Sequence, residues 1–231
     1  MNLAKRYIRS KGDKMKIAIL GSTGFLGKVI LKQALERGYR VKTLVRTPDK
    51  LGEFKDRVEF IKGSLSDIEK LEQAVSDTDA VVSAVGPPQR HPEPPEFYEK
   101  IMQELVGLLE KQNIKRFIHT GGAVHLGGER EAWSLGRRML RFFLVLFGKS
   151  ILIAKEREWA VLKNSNLDWT LVRPPHIVTG EPTGQVSADE KNLVKTRVNV
   201  EDLANFMLDQ ITSTAWIKKA PLVSSKKLKR T

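Results

Sequence analysis

The sequence predicts an α/β protein: a single domain built on a Rossmann-type doubly wound parallel sheet with helices on both faces. The first observation is a short apolar run, Ile17–Leu20, followed at once by Gly21, Gly24 and Gly27 and then by a helical pattern. The second is that further short apolar runs alternate with amphipathic stretches along the chain. Such alternation is typical of parallel strands joined by right-handed helical crossovers.

The glycine turn after the first strand predicts a dinucleotide site. In a strand–turn–helix unit with this spacing, the first glycine permits a tight turn and the second lets the backbone approach a pyrophosphate. The third glycine lets the helix pack close to the strand, and free N–H groups at the helix start attract phosphates. Leu26, Ile30 and Ala34 recur every fourth residue, which predicts the helix, and Gly38 marks its end.

The second strand is predicted at residues 40–45, and Arg46 stands at its end. An NAD-specific protein usually places an acidic residue there to bind the ribose hydroxyls. This chain offers Arg46, Thr47 and Lys50 instead, and a guanidinium fits a 2′-phosphate that a carboxylate would repel. We therefore expect NADP(H) to be preferred over NAD(H). The alternative is a solvated surface arginine.

The later elements follow from the same patterns. Strands three to six are predicted at 58–61, 79–85, 116–120 and 167–174, with shorter strands at 193–198 and 220–224. Helices are predicted from a Ser66–Glu69 capping box to Val75, then at 96–112, 155–163 and 200–211, with Asn199 as the N-cap of the last. Ligands bind at the carboxyl ends of such strands, so we expect one mouth to collect the glycine turn, Arg46, Ser64, Gly86 and Thr120.

The composition excludes several kinds of site. The 231 residues include no cysteine, so disulfides, thiolate catalysis and cysteine-bound metals are excluded. This composition fits a cytoplasmic protein. The four histidines, at 91, 119, 125 and 176, show no metal-ligand spacing, and we expect no metal site.

The formal net charge of +13 is concentrated at the two ends of the chain. Residues 1–14 hold five basic residues and one acidic residue, and residues 225–231 hold four basic residues and no acidic one. This distribution argues against a nucleic-acid partner. We expect a basic N-terminal extension (1–14), an NAD(P)-binding Rossmann domain with a small C-terminal substrate region (15–224), and a basic tail (225–231).

The segment 131–154 is the least regular part of the sequence. Its apolar stretch, 139–147, lies between Arg138 and Lys149. A helix packed on the sheet, a lid or pocket wall, a dimer face and a membrane-surface helix all fit this pattern. A weak membrane-surface contact through 137–149 and the basic ends therefore stays open, as does the choice between monomer and dimer. No apolar run is long enough to span a membrane.

Four blocks of sequence, 21–27, 44–46, 79–82 and 165–177, resemble the atypical short-chain dehydrogenases/reductases that bind NAD(P)H. The branch that the chain resembles most includes biliverdin-IXβ reductase (flavin reductase), and the resemblance covers residues 15–224. It implies that Ser22 to Leu26 hold the pyrophosphate, Arg46 the 2′-phosphate and Thr120 the nicotinamide ribose. The cofactor-binding residues that it implies, together with Lys50 from the charge argument, are Gly21, Ser22, Thr23, Gly24, Phe25, Leu26, Gly27, Arg46, Lys50, Ser64, Leu65, Val85, Gly86, Thr120, Pro174, His176 and Ile177.

The chain departs from the wider family at the catalytic positions. That family uses a Tyr-x-x-x-Lys pair, and here Lys155 occupies the lysine position while Ile151 stands in place of the tyrosine. Gly122 replaces the serine that biliverdin reductase carries after the fifth strand. Lys155 either contacts the cofactor ribose or is an ordinary surface lysine. His176 is a candidate proton donor or substrate contact, because histidine is the residue type best suited to proton transfer at neutral pH; the alternative is a histidine that only packs on the nicotinamide or bonds the backbone.

Two functions fit these observations. The first is NADPH-dependent hydride transfer to a flavin-, tetrapyrrole- or quinone-like small molecule, whose conjugated system accepts hydride while water supplies the proton. The second is a non-catalytic NAD(P)-sensing regulator that resembles NmrA, which the missing tyrosine and serine favour.

Overall fold

A six-stranded sheet forms the centre of the computed structural model, which describes residues 14–86, 93–122 and 149–226. The strand order is β3-β2-β1-β4-β5-β6, and all neighbouring strands are parallel. The order reverses between β1 and β4, and in such sheets ligands bind at the carboxyl ends beside the reversal. The strands are β1 (Lys16–Leu20), β2 (Arg40–Val45), β3 (Glu59–Lys62), β4 (Ala80–Ser83), β5 (Arg116–Thr120) and β6 (Asp168–Val172).

Helices cover both faces of the sheet. Alternate residues of β1 enter different cores, because successive side chains of a strand point to opposite faces. Ile17 and Ile19 pack with α1 and α5, whereas Ala18 and Leu20 pack with α2, α3 and α4. The predicted doubly wound α/β fold is thus confirmed. The helices are α1 (Phe25–Glu36), α2 (Ile68–Val75), α3 (Pro95–Lys111), α4 (Lys149–Lys163) and α5 (Val200–Asp209).

The two predicted helix caps have different outcomes. Asn199 caps α5 as expected, because its side-chain oxygen accepts a hydrogen bond from the backbone N–H of Glu201 at 2.8 Å. The capping box at Ser66 is wrong: the side chain of Asp67 caps α2 by accepting from the backbone N–H of Lys70 at 3.2 Å. An aspartate is as good an N-cap as a serine, and here it stands one residue closer to the helix.

Four short strands lie outside the main sheet, in two pairs. The predicted strand at 193–198 is confined to β9 (Arg197–Asn199), which pairs in parallel with β7 (His176–Val178). The predicted strand at 220–224 is observed as β10 (Leu222–Ser225), and its antiparallel partner β8 (Val186–Asp189) was not predicted. Strands of three or four residues carry little apolar periodicity from which they could be predicted.

A buried carboxylate ties this C-terminal part to α5. The side chain of Asp202, only 3% exposed, accepts hydrogen bonds from the hydroxyl of Thr183 at 2.7 Å and the backbone N–H of Gly184 at 2.9 Å. It also accepts from the hydroxyl of Ser225 in β10, at 3.3 Å. Because a buried carboxylate is stable only when its oxygens are bonded, Asp202 holds the loop before β8 and the end of β10 together.

Helix α4 begins at Lys149, six residues before the predicted start. The apolar stretch 139–147 and most of both termini lie outside the described residues, so the expectations placed on them stay predictions. Across 14–86, 93–122 and 149–226, no helix combines the length and the apolar character needed to cross a membrane.

Candidate functional site

The turn after β1 has the geometry of an anion cradle. Gly21 adopts a φ of 81°, in the left-handed region that favours glycine, and the backbone N–H of Gly24 donates to its carbonyl oxygen at 3.0 Å. Gly24 is also the N-cap of α1, and no side chain of the described residues caps this helix. The first N–H groups of α1 are therefore available to a ligand, and a helix N-terminus favours negative charge.

Gly27 explains why the helix lies so close to this turn. A Cβ atom at Gly27 would lie 1.9 Å from the carbonyl oxygen of Gly21, a distance that no side chain tolerates. Only glycine therefore permits the close contact between α1 and the turn. Together, the bare helix start and the tight turn fit the pyrophosphate of a dinucleotide.

A cleft of about 500 Å³ opens at the carboxyl ends of the strands, beside the cradle. It includes nine of the residues expected to bind the cofactor, and its other side chains come from β2, the loop after β3, the end of β4 and the start of α3. The nine expected residues are Gly21, Thr23, Gly24, Arg46, Lys50, Ser64, Leu65, Val85 and Gly86.

The end of β2 is positively charged. Arg46 and Lys50 are both exposed, both line the cleft, and neither forms a salt bridge with another described residue. The nearby carboxylate of Asp49 is bonded to Lys55 at 2.8 Å and does not line the cleft. Glu93 is the acidic side chain in the lining, and it lies before α3 rather than at the end of β2. A 2′-phosphate near Arg46 would thus meet two cations.

The side chains of three residues of the glycine turn do not line the cleft. Ser22 is fully buried, and its hydroxyl is 2.7 Å from that of Thr43, so only its backbone can face a phosphate. Leu26 is buried in the core, whereas the ring of Phe25 is 56% exposed.

Lys155 lies at the nicotinamide end that the resemblance implies. Its ammonium group donates to the backbone carbonyl oxygens of Val85 and Thr120, at 3.5 Å each. A Cβ atom at Gly86 would lie 3.6 Å from the same nitrogen. Lys155 is 9% exposed and therefore is not the ordinary surface lysine that the sequence left open.

The same lysine is part of a buried ion pair that the sequence analysis missed. The ammonium of Lys155 is 2.6 Å from Oε2 of Glu158, a residue only 4% exposed. Burial alone would raise the pKa of Glu158, but the charge of Lys155 and the hydrogen bond from His119 lower it to about 2. Glu158 is therefore ionised at neutral pH, and the stability that it contributes is lost only as the pH falls from about 4.5 to about 2.

His119 lies beneath this pair at the end of β5. Its ring is 2% exposed, stacks on Phe117 and approaches Ser83 and Glu158 at 3.1 Å and 3.5 Å. Burial lowers the pKa of His119 below the usual value of 6.5, and the carboxylate of Glu158 only partly offsets this effect. The imidazole is therefore neutral at pH 7. The i,i+3 spacing of Lys155 and Glu158 was the only signal of this cluster in the sequence.

The segment after β6 lies outside the cleft lining. Pro174 is buried, and Ile177 is half-buried where β7 pairs with β9. His176 is exposed, and its backbone N–H donates to the carbonyl oxygen of Thr196 at 3.2 Å. Its ring forms no hydrogen bond or ion pair with the part of the chain that the structure describes. The imidazole is therefore free to meet a ligand.

In this chain, the residues at the catalytic positions of the wider family carry no acid group. Ile151 is half-buried in α4, one turn before Lys155. Tyr98 is the tyrosine that lines the cleft; burial raises the pKa of its phenol, and its oxygen accepts from the backbone N–H of Glu93 at 3.3 Å. The described residues also contain no group of three or more histidine, aspartate or glutamate side chains placed to hold a metal ion.

Comparison with known proteins agrees with this geometry. A family model described as NAD(P)H-binding matches residues 21–214. Among curated proteins, the UPF0659 protein YMR090W of Saccharomyces cerevisiae is 27% identical over 224 residues, which cover 89% of this chain and 91% of the yeast protein. The chain spans only 53% to 62% of the length of several plant relatives.

Two solved structures share the fold. A short-chain dehydrogenase/reductase from Veillonella parvula, solved in complex with NADP, matches with a TM-score of 0.75 and 18% identity, over 93% of this chain and 96% of that one. ChuY from Escherichia coli O157:H7, described as an anaerobillin reductase, matches with a TM-score of 0.76 and 17% identity, over 94% and 100% of the two chains. At these identities the likeness is one of fold.

Proposed function

The chain belongs to the NAD(P)H-binding family of oxidoreductases, as its resemblance to atypical short-chain dehydrogenases/reductases implied, and from this premise we propose that it is an NADPH-dependent reductase. We propose that it transfers a hydride to a flavin-, tetrapyrrole- or quinone-like small molecule without the usual tyrosine acid. The observation that carries this proposal is the single cleft at the strand ends, which is lined by Arg46 after β2, by the glycine cradle after β1 and by Gly86 after β4.

The charge at the end of β2 supports NADPH rather than NADH. Arg46 and Lys50 line the cleft there, and the carboxylate of Asp49, which lies between them in sequence, is bonded to Lys55. A guanidinium donates paired hydrogen bonds to a phosphate, whereas the ribose of NADH would leave this charge without a partner.

Beyond the Gly86 end of the cleft, we assign Lys155 and His176, which do not line the cleft itself, as the residues that contact the reacting groups. When bound, NADPH supplies the hydride, and the protein contributes proximity and orientation. The ammonium of Lys155 lies between the ends of β4 and β5, where a nicotinamide ribose would reach it. The exposed imidazole of His176 is the candidate to donate a proton to the acceptor or to bind it.

The missing tyrosine supports an extended conjugated acceptor. An isolated carbonyl group needs a positioned acid, but Ile151 and Gly122 supply none at the family's catalytic positions. A flavin, tetrapyrrole or quinone spreads the added charge over its ring system, so water or His176 can supply the proton. The fold shared with the anaerobillin reductase of Escherichia coli supports this class of acceptor.

The test is NADPH oxidation, followed by absorbance, with FMN, biliverdin and simple quinones as separate acceptors. We expect turnover with at least one of them, and His176→Ala should reduce kcat about tenfold or more. His176→Gln, which keeps a hydrogen-bonding side chain but does not titrate, separates proton donation from acceptor binding. Normal turnover by His176→Ala would remove His176 from the proposal and leave the protein as an orienting scaffold.

Binding without turnover would favour the second function, an NAD(P)-sensing regulator. The observation behind this alternative is the same pair of positions, Ile151 and Gly122, which carry no acid group. In that case NADPH should bind, no acceptor should be reduced, and the oxidised and reduced cofactors should differ in their effect on a partner macromolecule.

A further inference from the structure

Five residues beside the cleft, of which Val85 also lines it, form a closed ring of hydrogen bonds, called the polar ring below. The ammonium of Lys155 donates to Glu158 at 2.6 Å and to the carbonyl oxygen of Val85 at 3.5 Å. The backbone N–H of Val85 donates to the hydroxyl of Ser83 at 3.4 Å. The ring of His119 closes the circle, with Nδ1 3.1 Å from that hydroxyl and Nε2 3.5 Å from Glu158.

The protonation of these groups follows from their partners. An ionised carboxylate only accepts hydrogen bonds, so Nε2 of His119 carries the proton and donates to Glu158. Nδ1 is then the acceptor of a neutral imidazole, and the hydroxyl of Ser83 donates to it. The hydroxyl oxygen remains free to accept from Val85. Every contact therefore pairs one donor with one acceptor.

Burying these charged and polar groups in the protein core is energetically unfavourable. Lys155, Glu158, His119 and Ser83 are all 9% exposed or less. Replacing a buried ion pair by apolar side chains of similar volume is often neutral or stabilising, so stability alone does not explain why charges are buried here. Buried groups whose pKa values are shifted by specific partners are found most often at functional sites.

The polar ring is joined directly to the cofactor cleft. Val85 belongs both to the ring and to the lining of the cleft, and Gly86 follows it. Lys155 also bonds the carbonyl oxygen of Thr120, whose hydroxyl donates to the carbonyl oxygen of Ser83 at 3.1 Å. The ring thus connects α4 to the ends of β4 and β5, the two strands at the nicotinamide end.

A small cavity of about 20 Å³ separates the ring from apolar side chains of α3. Ser83, His119 and Glu158 line it on one side, and Leu65, Val85, Phe97 and Tyr98 are shared between this cavity and the cofactor cleft. The walls therefore shield the ring from solvent, which strengthens its electrostatic interactions.

We propose that the polar ring positions the nicotinamide half of the cofactor site: Glu158 and His119 are positioning residues that hold the ammonium of Lys155 and the backbone of Val85 in place. The inference rests on the proposed function for the identity of the cofactor. It assigns a role to Glu158, His119 and Ser83, which do not line the cofactor cleft. The glycine turn and Arg46, which we propose for the pyrophosphate and the 2′-phosphate, lie outside the ring.

The two halves of the site can be tested separately with two ligands. NADPH fills both halves, whereas adenosine 2′,5′-bisphosphate fills only the adenine half. We expect Glu158→Gln and His119→Phe to weaken NADPH binding about tenfold. The first removes the negative charge that pairs with Lys155, and the second removes the hydrogen bond from His119 to Glu158. Their affinity for adenosine 2′,5′-bisphosphate should stay within about twofold of the wild-type value, and both affinities are measured by calorimetry without an acceptor.

Matched variants separate positioning from structure. Arg157→Met removes an ion pair on the same helix, to Glu96 at 2.8 Å and Glu99 at 3.1 Å, and should leave both affinities unchanged. His119→Gln keeps a donor near Glu158 and should recover part of the lost NADPH affinity. The double variant Lys155→Met with Glu158→Leu replaces the ion pair by apolar groups; we expect it to fold with a similar Tm and to bind NADPH weakly.

Three outcomes would overturn the inference. They are unchanged NADPH affinity in Glu158→Gln, an equal loss of both ligands, and tight NADPH binding by the double variant. Because these measurements need no acceptor, failure of all acceptors in the turnover assay would remove the proposed reductase activity but leave the positioning result intact.

Discussion

Arg46, at the end of β2, is the residue on which the proposed preference for NADPH over NADH mainly depends. It is exposed, lines the cleft and has no ion-pair partner among the described residues, so its guanidinium can turn toward a phosphate without breaking another contact. Lys50 lies in the same lining and adds a second charge. Under the proposed function, the pair would bind the 2′-phosphate that distinguishes NADPH from NADH.

Replacing Arg46 by alanine should reduce this discrimination. The lost charge-assisted hydrogen bonds are worth about 1.5–3 kcal/mol, so the Kd for NADPH should rise about 10- to 100-fold. The Kd for NADH should change less than about threefold. Lys32→Ala is the matched control, because Lys32 is an exposed cation of α1 whose contact is with Glu36 at 3.9 Å. Equal losses for NADPH and NADH would contradict the role given to Arg46.

At the scale of elements, the contact between the glycine turn and α1 depends on the absence of a side chain. The Cβ of a residue at position 27 would collide with the carbonyl oxygen of Gly21 at 1.9 Å. Gly107, in the exposed face of α3, offers the opposite case, since a Cβ there would meet nothing within 4 Å. Alanine substitutions at these two positions therefore distinguish the effect of a steric clash, at Gly27, from the effect of backbone flexibility, at Gly107.

The variants Gly27→Ala and Gly107→Ala should shift stability in opposite directions. Gly27→Ala forces α1 away from the turn and should lower the free energy of unfolding by at least about 2 kcal/mol, with loss of NADPH binding. Gly107→Ala should raise it by about 0.5–1 kcal/mol, since alanine favours the helix. Urea denaturation of the two proteins gives both values. A stable, cofactor-binding Gly27→Ala protein would show that the tight contact is not required.

For the molecule as a whole, His119 couples folding to pH. Burial lowers its pKa below 6.5, so the unfolded chain binds more protons than the folded one as the pH falls through this value. Stability therefore rises with pH in this range and is fully present above about 6.5. The carboxylates titrate mainly at lower pH, which leaves the histidine as the main source of the slope.

We expect the free energy of unfolding to decrease between about pH 7.5 and about pH 5.5, as measured by urea denaturation. His119→Gln should be less stable than the wild type at neutral pH but nearly independent of pH over the same range. A wild-type stability that is flat with pH would mean that His119 is protonated as easily in the folded protein as in the unfolded chain.

Much of the fold was predictable because its signals are local. Apolar runs and helical periodicity predicted where the six main strands and the helices between them lie along the chain, and Asn199 marked the start of α5. The errors fell where local signals compete or are weak. Asp67 caps α2 in place of Ser66, and β8 has only four residues, all half-buried, which is too short to leave a pattern.

One part of the candidate site was likewise predictable from local signals, and another part was not. Gly21, Gly24 and Arg46 follow from the residue types that a dinucleotide turn and a strand end require, and the structure brings them into one cleft. The polar ring did not follow, because its members are remote in sequence. His119 is 36 residues from Ser83 and 39 residues from Glu158.

By itself, then, the sequence determined the α/β architecture and the family, since backbone stereochemistry and hydrophobic periodicity act over a few neighbouring residues. It also predicted the residues that we propose for the phosphate-binding end of the site. Only the tertiary structure decided that Lys155 is buried, that Glu158 and His119 accompany it, and that these groups meet the cleft at Val85. The physical reason is that a buried charge is stable only beside its partners, and these partners come together only when β4, β5 and α4 pack against one another.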